Sequence, residues 1–186
     1  VWMRYAVYQH NIPVDYHNGV VQRVNTLQSQ LDADFNRLTF VPIFGGGTTP
    51  ENIDERVRTT HTAVTLLTKF QQDMASEEGR DRRELAELSI SAADRSALSR
   101  EIDATFASGS ERMRRSTLTL AMFQKAEDLL TLLKAHRGEW RVVNGQIQIG
   151  PGPTFDQAAR AISDYQAAAA ALRPYGQPNA APATQN

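Results

Sequence analysis

Apolar positions along this chain recur mostly at spacings of three and four, the period of one face of an α-helix. Val20, Val24, Leu27, Leu31, Phe35 and Leu38 make the first stripe. Asn11 is placed to cap its helix, with Pro13 in the first turn. A second stripe runs Ile53, Val57, His61, Val64, Leu67 and Met74, with Phe70 beside it. Thr48 or Thr49 is its expected cap. Pro50 suits a first turn, and Glu51, three after Thr48, completes a capping box. This helix is expected to end between Ser76 and Gly79. Residues 77–87 are densely charged with both signs, as on a solvated helix face, and Leu85, Leu88 and Ile90 give them an apolar side. Ser91 with Asp94 caps the next stripe, Leu98, Ile102 and Phe106. Ser108-Gly109-Ser110 marks a kink or a helix boundary. Met113, Leu120, Phe123, Leu130 and Leu133, thickened by Leu129 and Leu132, form the longest stripe. Gly138 is expected to stop it as the residue past the C-cap, behind Lys134, His136 and Arg137.

The period then changes to two. Asn144-Gly145 supplies the positive φ angles of a type I′ turn. A two-residue loop there pairs Val143 with Gln146, Val142 with Ile147 and Trp140 with Ile149, a hairpin at about residues 139–149. Trp140, Val142, Ile147 and Ile149 share one face, and Arg141, Gln146 and Gln148 the other. A lone hairpin is marginal in water, so that apolar face needs a partner surface. It is the candidate capping or interaction face. Gly150-Pro151-Gly152-Pro153 breaks regular structure. Thr154 and Gln157 predict another capping box, and Phe155, Ile162, Tyr165, Ala169 and Leu172 line the last helix. Pro174 ends it, and residues 176–186 lack a large apolar group and read as a disordered tail. The organisation expected is one helical-bundle domain over 1–175.

Composition narrows the picture. The 186 residues carry a net charge of −1, which removes the electrostatic case for nucleic acid. No run of about 18 apolar residues occurs, so no transmembrane helix is expected within this chain. Cysteine is absent, which excludes disulfides and thiolate chemistry and fits an oxidising compartment. Trp2, Tyr5 and Tyr8, at spacing three, are expected to pack on the bundle as a short amphipathic helix, the alternative being the stub after a membrane anchor, since aromatic residues also sit at membrane interfaces. The chain opens on Val1, as in a trimmed or processed product.

Candidate chemistry is sparse. The loop from Val41 to Thr49 contains Gly45-Gly46-Gly47, but no Gly-Lys-Ser/Thr follows and no spaced dinucleotide glycines occur, so a flexible connector is expected. The histidines are His10, His17, His61 and His136. His10 and His17, with Asp15, form a weak metal pair, and Asn11-Ile12-Pro13 is expected to break the helix between them. His61 lies on the second stripe and reads as a hydrogen-bonded core histidine. Neither His-Glu-x-x-His nor Gly-x-Ser-x-Gly occurs. Arg112, Arg114 and Arg115 read as a solvated face. Catalytic residues, metal ligands and cofactors are therefore assigned to none.

Trp140-x-Val142-x-Asn144-Gly145-x-Ile147-x-Ile149, preceded by a long helix and followed by one carrying Tyr165 and Leu172, resembles the C-terminal part of bacterial cell-envelope lipoproteins. There a helical bundle ends in a helix, a small hairpin and a closing helix. The resemblance covers residues 138–172. It implies a helical domain at the cell envelope, periplasmic or extracytoplasmic, anchored through a lipid-bearing cysteine before Val1, and it implies no catalytic residue. An envelope protein or a lipid anchor is the implied partner.

These readings converge on a mainly α fold, a bundle of four to five long helices with one small hairpin. The expected role is non-enzymatic, structural or interaction-based, at the cell envelope. The alternative is a helical bundle that binds or senses a small molecule.

Overall fold

The computed structural model describes residues 2–40, 42–44, 47–107 and 110–175, with side chains from residue 12 onward. The fold is mainly α, a helical bundle with one hairpin: α1 (Trp2–Asn36), α2 (Ile53–Glu87), α3 (Ala92–Phe106), α4 (Glu111–Ala135), β1 (Trp140–Val143), β2 (Gln146–Ile149) and α5 (Pro153–Leu172), then a 3₁₀ turn at Arg173–Tyr175. The side chains of Trp2, Tyr5 and Tyr8, the pair Gly45-Gly46, Ser108-Gly109 and the tail at 176–186 lie outside the described residues.

Several expected boundaries move. Asn11-Ile12-Pro13 does not break or cap the first helix, because α1 runs through Pro13. An interior proline loses one backbone bond and crowds the carbonyl four residues back. The stripe that follows, Tyr16, Val20, Val24, Leu27 and Leu31, is anchored in a core and holds the helix. α2 begins at Ile53, so neither Thr48 nor Thr49 caps it. The Asn52 carbonyl accepts the first helical bond, from Arg56 N–H at 3.1 Å, while its side chain turns back to accept from Thr49 N–H at 2.8 Å. α2 also runs on through Gly79 to Glu87. A glycine costs about 1 kcal/mol in a helix interior. Here Arg80 spans Glu77 and Glu84, and Arg82 reaches Glu78, pairs that favour the helical turn. Ser91 caps the start of α3, accepting from Asp94 N–H at 3.1 Å. The break after Phe106 is a boundary: α3 ends there, α4 begins at Glu111, and Ser110 Oγ accepts from Met113 N–H at 3.3 Å at its start. α4 ends at Ala135, so Gly138 lies beyond the residue past its C-cap and has no positive φ.

The chain forms two compact units, α1 with Thr68–Arg114, and Leu38–Leu67 with the chain from Arg115 on. In the first, Val20, Val24, Phe70, Met74, Leu85, Leu98, Ile102 and Phe106 make the core. Arg95, in the first turn of α3, donates to the carbonyls of Leu85, Ala86 (2.9 Å) and Leu88 (2.6 Å). Leu85 and Ala86 lie in the last turn of α2 and Leu88 just beyond it, where a cation is favoured.

In the second unit the core is Ile43, Ile53, Ala126, Leu129, Leu130, Leu133 and Trp140. α4 buries Ser116, Thr119, Phe123, Ala126, Leu130 and Leu133, alternating spacings of three and four as in a coiled-coil seam. Three of these are small, which allows close approach. The connector before α2 is tied down where it is described: Ile43 is buried, Phe44 packs on Tyr165 with ring centroids 5.8 Å apart, and the Gly47 carbonyl accepts from Asn52 and Arg56, each at 3.1 Å. α5 turns Thr154, Ala158 and Leu172 inward and leaves Phe155, expected on its inner stripe, 50 % exposed.

Candidate functional site

The hairpin has the register that its turn predicts: Trp140 opposite Ile149, Val142 opposite Ile147 and Val143 opposite Gln146. Asn144 and Gly145 occupy the turn at φ 51° and 74°. The structure brings all four candidate residues to one surface. Trp140 is 5 % exposed, and Val142, Ile147 and Ile149 lie half-buried against the second core. The Trp140 indole N–H donates to the Leu133 carbonyl at 2.7 Å. That carbonyl belongs to the last turn of α4, which has no helical donor left, so the ring satisfies a helix end while filling the core.

The base of the hairpin is closed by polar ties. Gly150 N–H donates to the Glu139 carbonyl at 2.8 Å. His136 Nδ1 lies 3.0 Å from Glu139 Oε1 and 3.3 Å from Thr154 Oγ1. Thr154 therefore binds across to the end of α4, and α5 is capped instead by Gly152 with no side-chain bond. The hydrogen bond from His136, then that from Thr154, holds the Glu139 carboxyl below its ordinary range. Beside them Lys134, at 2.9 Å, and Arg137 both pair with Asp54 in the first turn of α2, and their hydrogen bonds lower the Asp54 carboxyl. Cations at the end of α4 and an anion at the start of α2 suit both helix dipoles.

The densest polar cluster was not legible as one in the sequence. Asp81, in the C-terminal third of α2, is fully buried, 0 % exposed. Its Oδ1 accepts from the Arg23 guanidinium of α1, and its Oδ2 has no hydrogen-bond partner. Arg23 also lies 3.3 Å from Glu84 and 3.5 Å from Glu77. Tyr16 Oη donates to the Asp81 carbonyl at 2.5 Å. Burial, and then the charges of Asp81 and Glu84, push the Tyr16 phenol up to about 12. The signal in the sequence was a seven-residue repeat: Ile53, Thr60, Leu67, Met74 and Asp81 are all buried. Two polar residues in that repeat hid its phase.

His61 is not a core residue. Its side chain is 67 % exposed and pairs with Glu127 of α4 at 2.7 Å. The stripe through Val57 and His61 uses spacings of four, which drift around the helix. The true seam passes through Thr60, about 100° away at 3.6 residues per turn. His17 pairs with Glu101 of α3 at 2.7 Å, and the side chain of His10 lies outside the described residues. Among the described residues no group of three or more His, Asp or Glu is placed to hold a metal ion, and no helix is long and apolar enough to cross a membrane. Comparison of the chain with protein-family models, with curated proteins and with solved structures gives no match.

Proposed function

We propose that this protein is a non-enzymatic helical module with a structural or interaction role at the cell envelope, held outside the cytoplasm by an anchor carried before this chain. The observation that carries the reading is the use made of its titratable side chains. His17, His61 and His136 each pair with a glutamate, and the buried Asp81 pairs with Arg23. General acid–base work needs such groups within reach of a substrate proton. Here they join α1 to α3, α2 to α4, the end of α4 to the hairpin, and α1 to α2. The envelope assignment is supported by the resemblance of residues 138–172 to cell-envelope lipoproteins, since the order α4, β1, β2, α5 has the helix, hairpin and closing helix of that group.

Fractionation of the full-length gene product in its own cell tests the location. It should sediment with membranes and be released by detergent rather than by salt. Recovery in the cytosol overturns the envelope reading. A turnover of any substrate that disappears in His61→Ala or His136→Ala overturns the non-enzymatic one.

A further inference from the structure

We propose that the outward face of α1 is a self-association seam, which pairs with α1 of a second copy of this chain, parallel and in register. The inference goes beyond the proposed role and does not depend on the compartment.

α1 carries two stripes. The inner one, Val20, Val24, Leu27 and Leu31, belongs to the core of the first unit. The outer one runs Val14, Asn18, Val21, Asn25 and Gln28, at alternating steps of four and three. The two asparagines are seven apart, and so are Val14, Val21 and Gln28, which is the a/d repeat of a coiled coil with asparagine at a. Val14 is 56 % exposed and Val21 39 %, and Asn18 and Asn25 are exposed beside them.

The chemistry of this face selects its occupant. Between Tyr16 and Leu31 the only Asp, Glu, Lys or Arg is Arg23, and it is turned inward to Asp81. Apart from Arg112 of α4, which reaches the face at Asn25, two copies therefore meet without like charges between Asn18 and Gln28, and charge depletion marks the centre of interfaces. A carboxamide carries both donors and an acceptor, so identical asparagines can satisfy one another. In a parallel, in-register pair each asparagine faces its own copy. An antiparallel pair sets asparagine against valine and leaves the amides unpaired. The next a position is Asp32, where self-apposition brings two carboxylates together, so the seam ends at Gln28. α1 is already folded by its inner stripe, and pairing does not have to order it. The existing outer bonds, Arg112 to Asn25 at 3.3 Å and Gln28 to Asp32 at 2.9 Å, are exposed and free to exchange.

The chain has no cysteine, so Asn25→Cys introduces a single thiol. Sedimentation of the unmodified chain into the millimolar range should show a reversible monomer–dimer equilibrium. Asn25→Cys should cross-link to itself under mild oxidation. Gln30→Cys should not, since Gln30 is exposed but lies about 140° round the helix from Asn25 at 3.6 residues per turn. Val21→Lys should weaken the dimer at least tenfold while keeping the melting temperature, which separates lost pairing from lost folding. A chain that stays monomeric throughout overturns the proposal. So does a dimer indifferent to Val21→Lys, or one in which Val14→Cys cross-links to Asn25→Cys but Asn25→Cys does not cross-link to itself.

Discussion

Arg23 of α1 donates to Asp81 of α2, and Asp81 is sealed from solvent while Arg23 keeps about a quarter of its side chain exposed. Breaking such a pair from one side strands a buried charge and costs about 3–5 kcal/mol, whereas replacing both partners by apolar groups of similar volume is often neutral or stabilising. Arg23→Met should therefore lower the unfolding free energy by several kcal/mol, and Arg23→Met with Asp81→Leu should recover most of it. A urea double-mutant cycle checks this. A double variant as unstable as Arg23→Met would show that the pair holds the helices in a way packing cannot replace.

Tyr16 makes the same cluster sensitive to alkali. Its folded-state pKa, about 12, lies above the ordinary value of 10. Below pH 10 the phenol is protonated in both states and its stabilisation is fully present. As pH rises from 10 through 12 the unfolded state ionises first, so stability is lost over that window. Burial also raises the Tyr165 phenol, so ultraviolet titration should show late tyrosine ionisation that Tyr16→Phe reduces rather than abolishes, and the alkaline loss of stability should shrink in that variant. Equal slopes of stability against pH above 10 in both proteins would contradict this.

Gly79 tests the continuity of α2. A Cβ built there meets only Arg83 Nη1, at an ordinary 3.6 Å, and the residue has no positive φ. Gly79→Ala should raise stability by about 0.5–1 kcal/mol, the helix-interior preference for alanine. A destabilised variant would place a bend or a close neighbour at that turn.

Trp140 and Gly145 test the hairpin by different routes. Trp140→Ala removes a buried aromatic and leaves the Leu133 carbonyl without its donor. The expected cost is about 3–5 kcal/mol. Gly145 sits at φ 74°, which a β-branched side chain resists, so Gly145→Val should also destabilise. With Trp2 replaced, the fluorescence of Trp140 should be blue-shifted and poorly quenched by iodide. Free quenching would mean that the face opens in solution.

Local chemistry was enough for some of this architecture. Asn144-Gly145 sets the hairpin register because a type I′ turn admits few residue pairs, and the strands then follow by alternation. Ser91 with Asp94 marks the start of α3 because the bond that makes the cap spans only three residues. The hydrophobic period was also sufficient to find the helices and to place Trp140, Val142, Ile147 and Ile149 on one face.

Contacts distant in sequence decided the rest. Whether α1 passes through Pro13 and α2 through Gly79 depends on what each buries beyond those residues, Val20 and Val24 in one case and Asp81 and Leu85 in the other. The phase of α2 was hidden because its seam contains Thr60 and Asp81, residues that look like surface until Arg23, 58 positions away, supplies the partner. Thr154 has the chemistry of a cap, yet it serves as a tie because His136 reaches it from the end of α4. Pattern alone ranks residues by polarity. A polar group enters the interior only where another part of the chain brings its hydrogen-bond or charge partner, and only the folded structure places those partners.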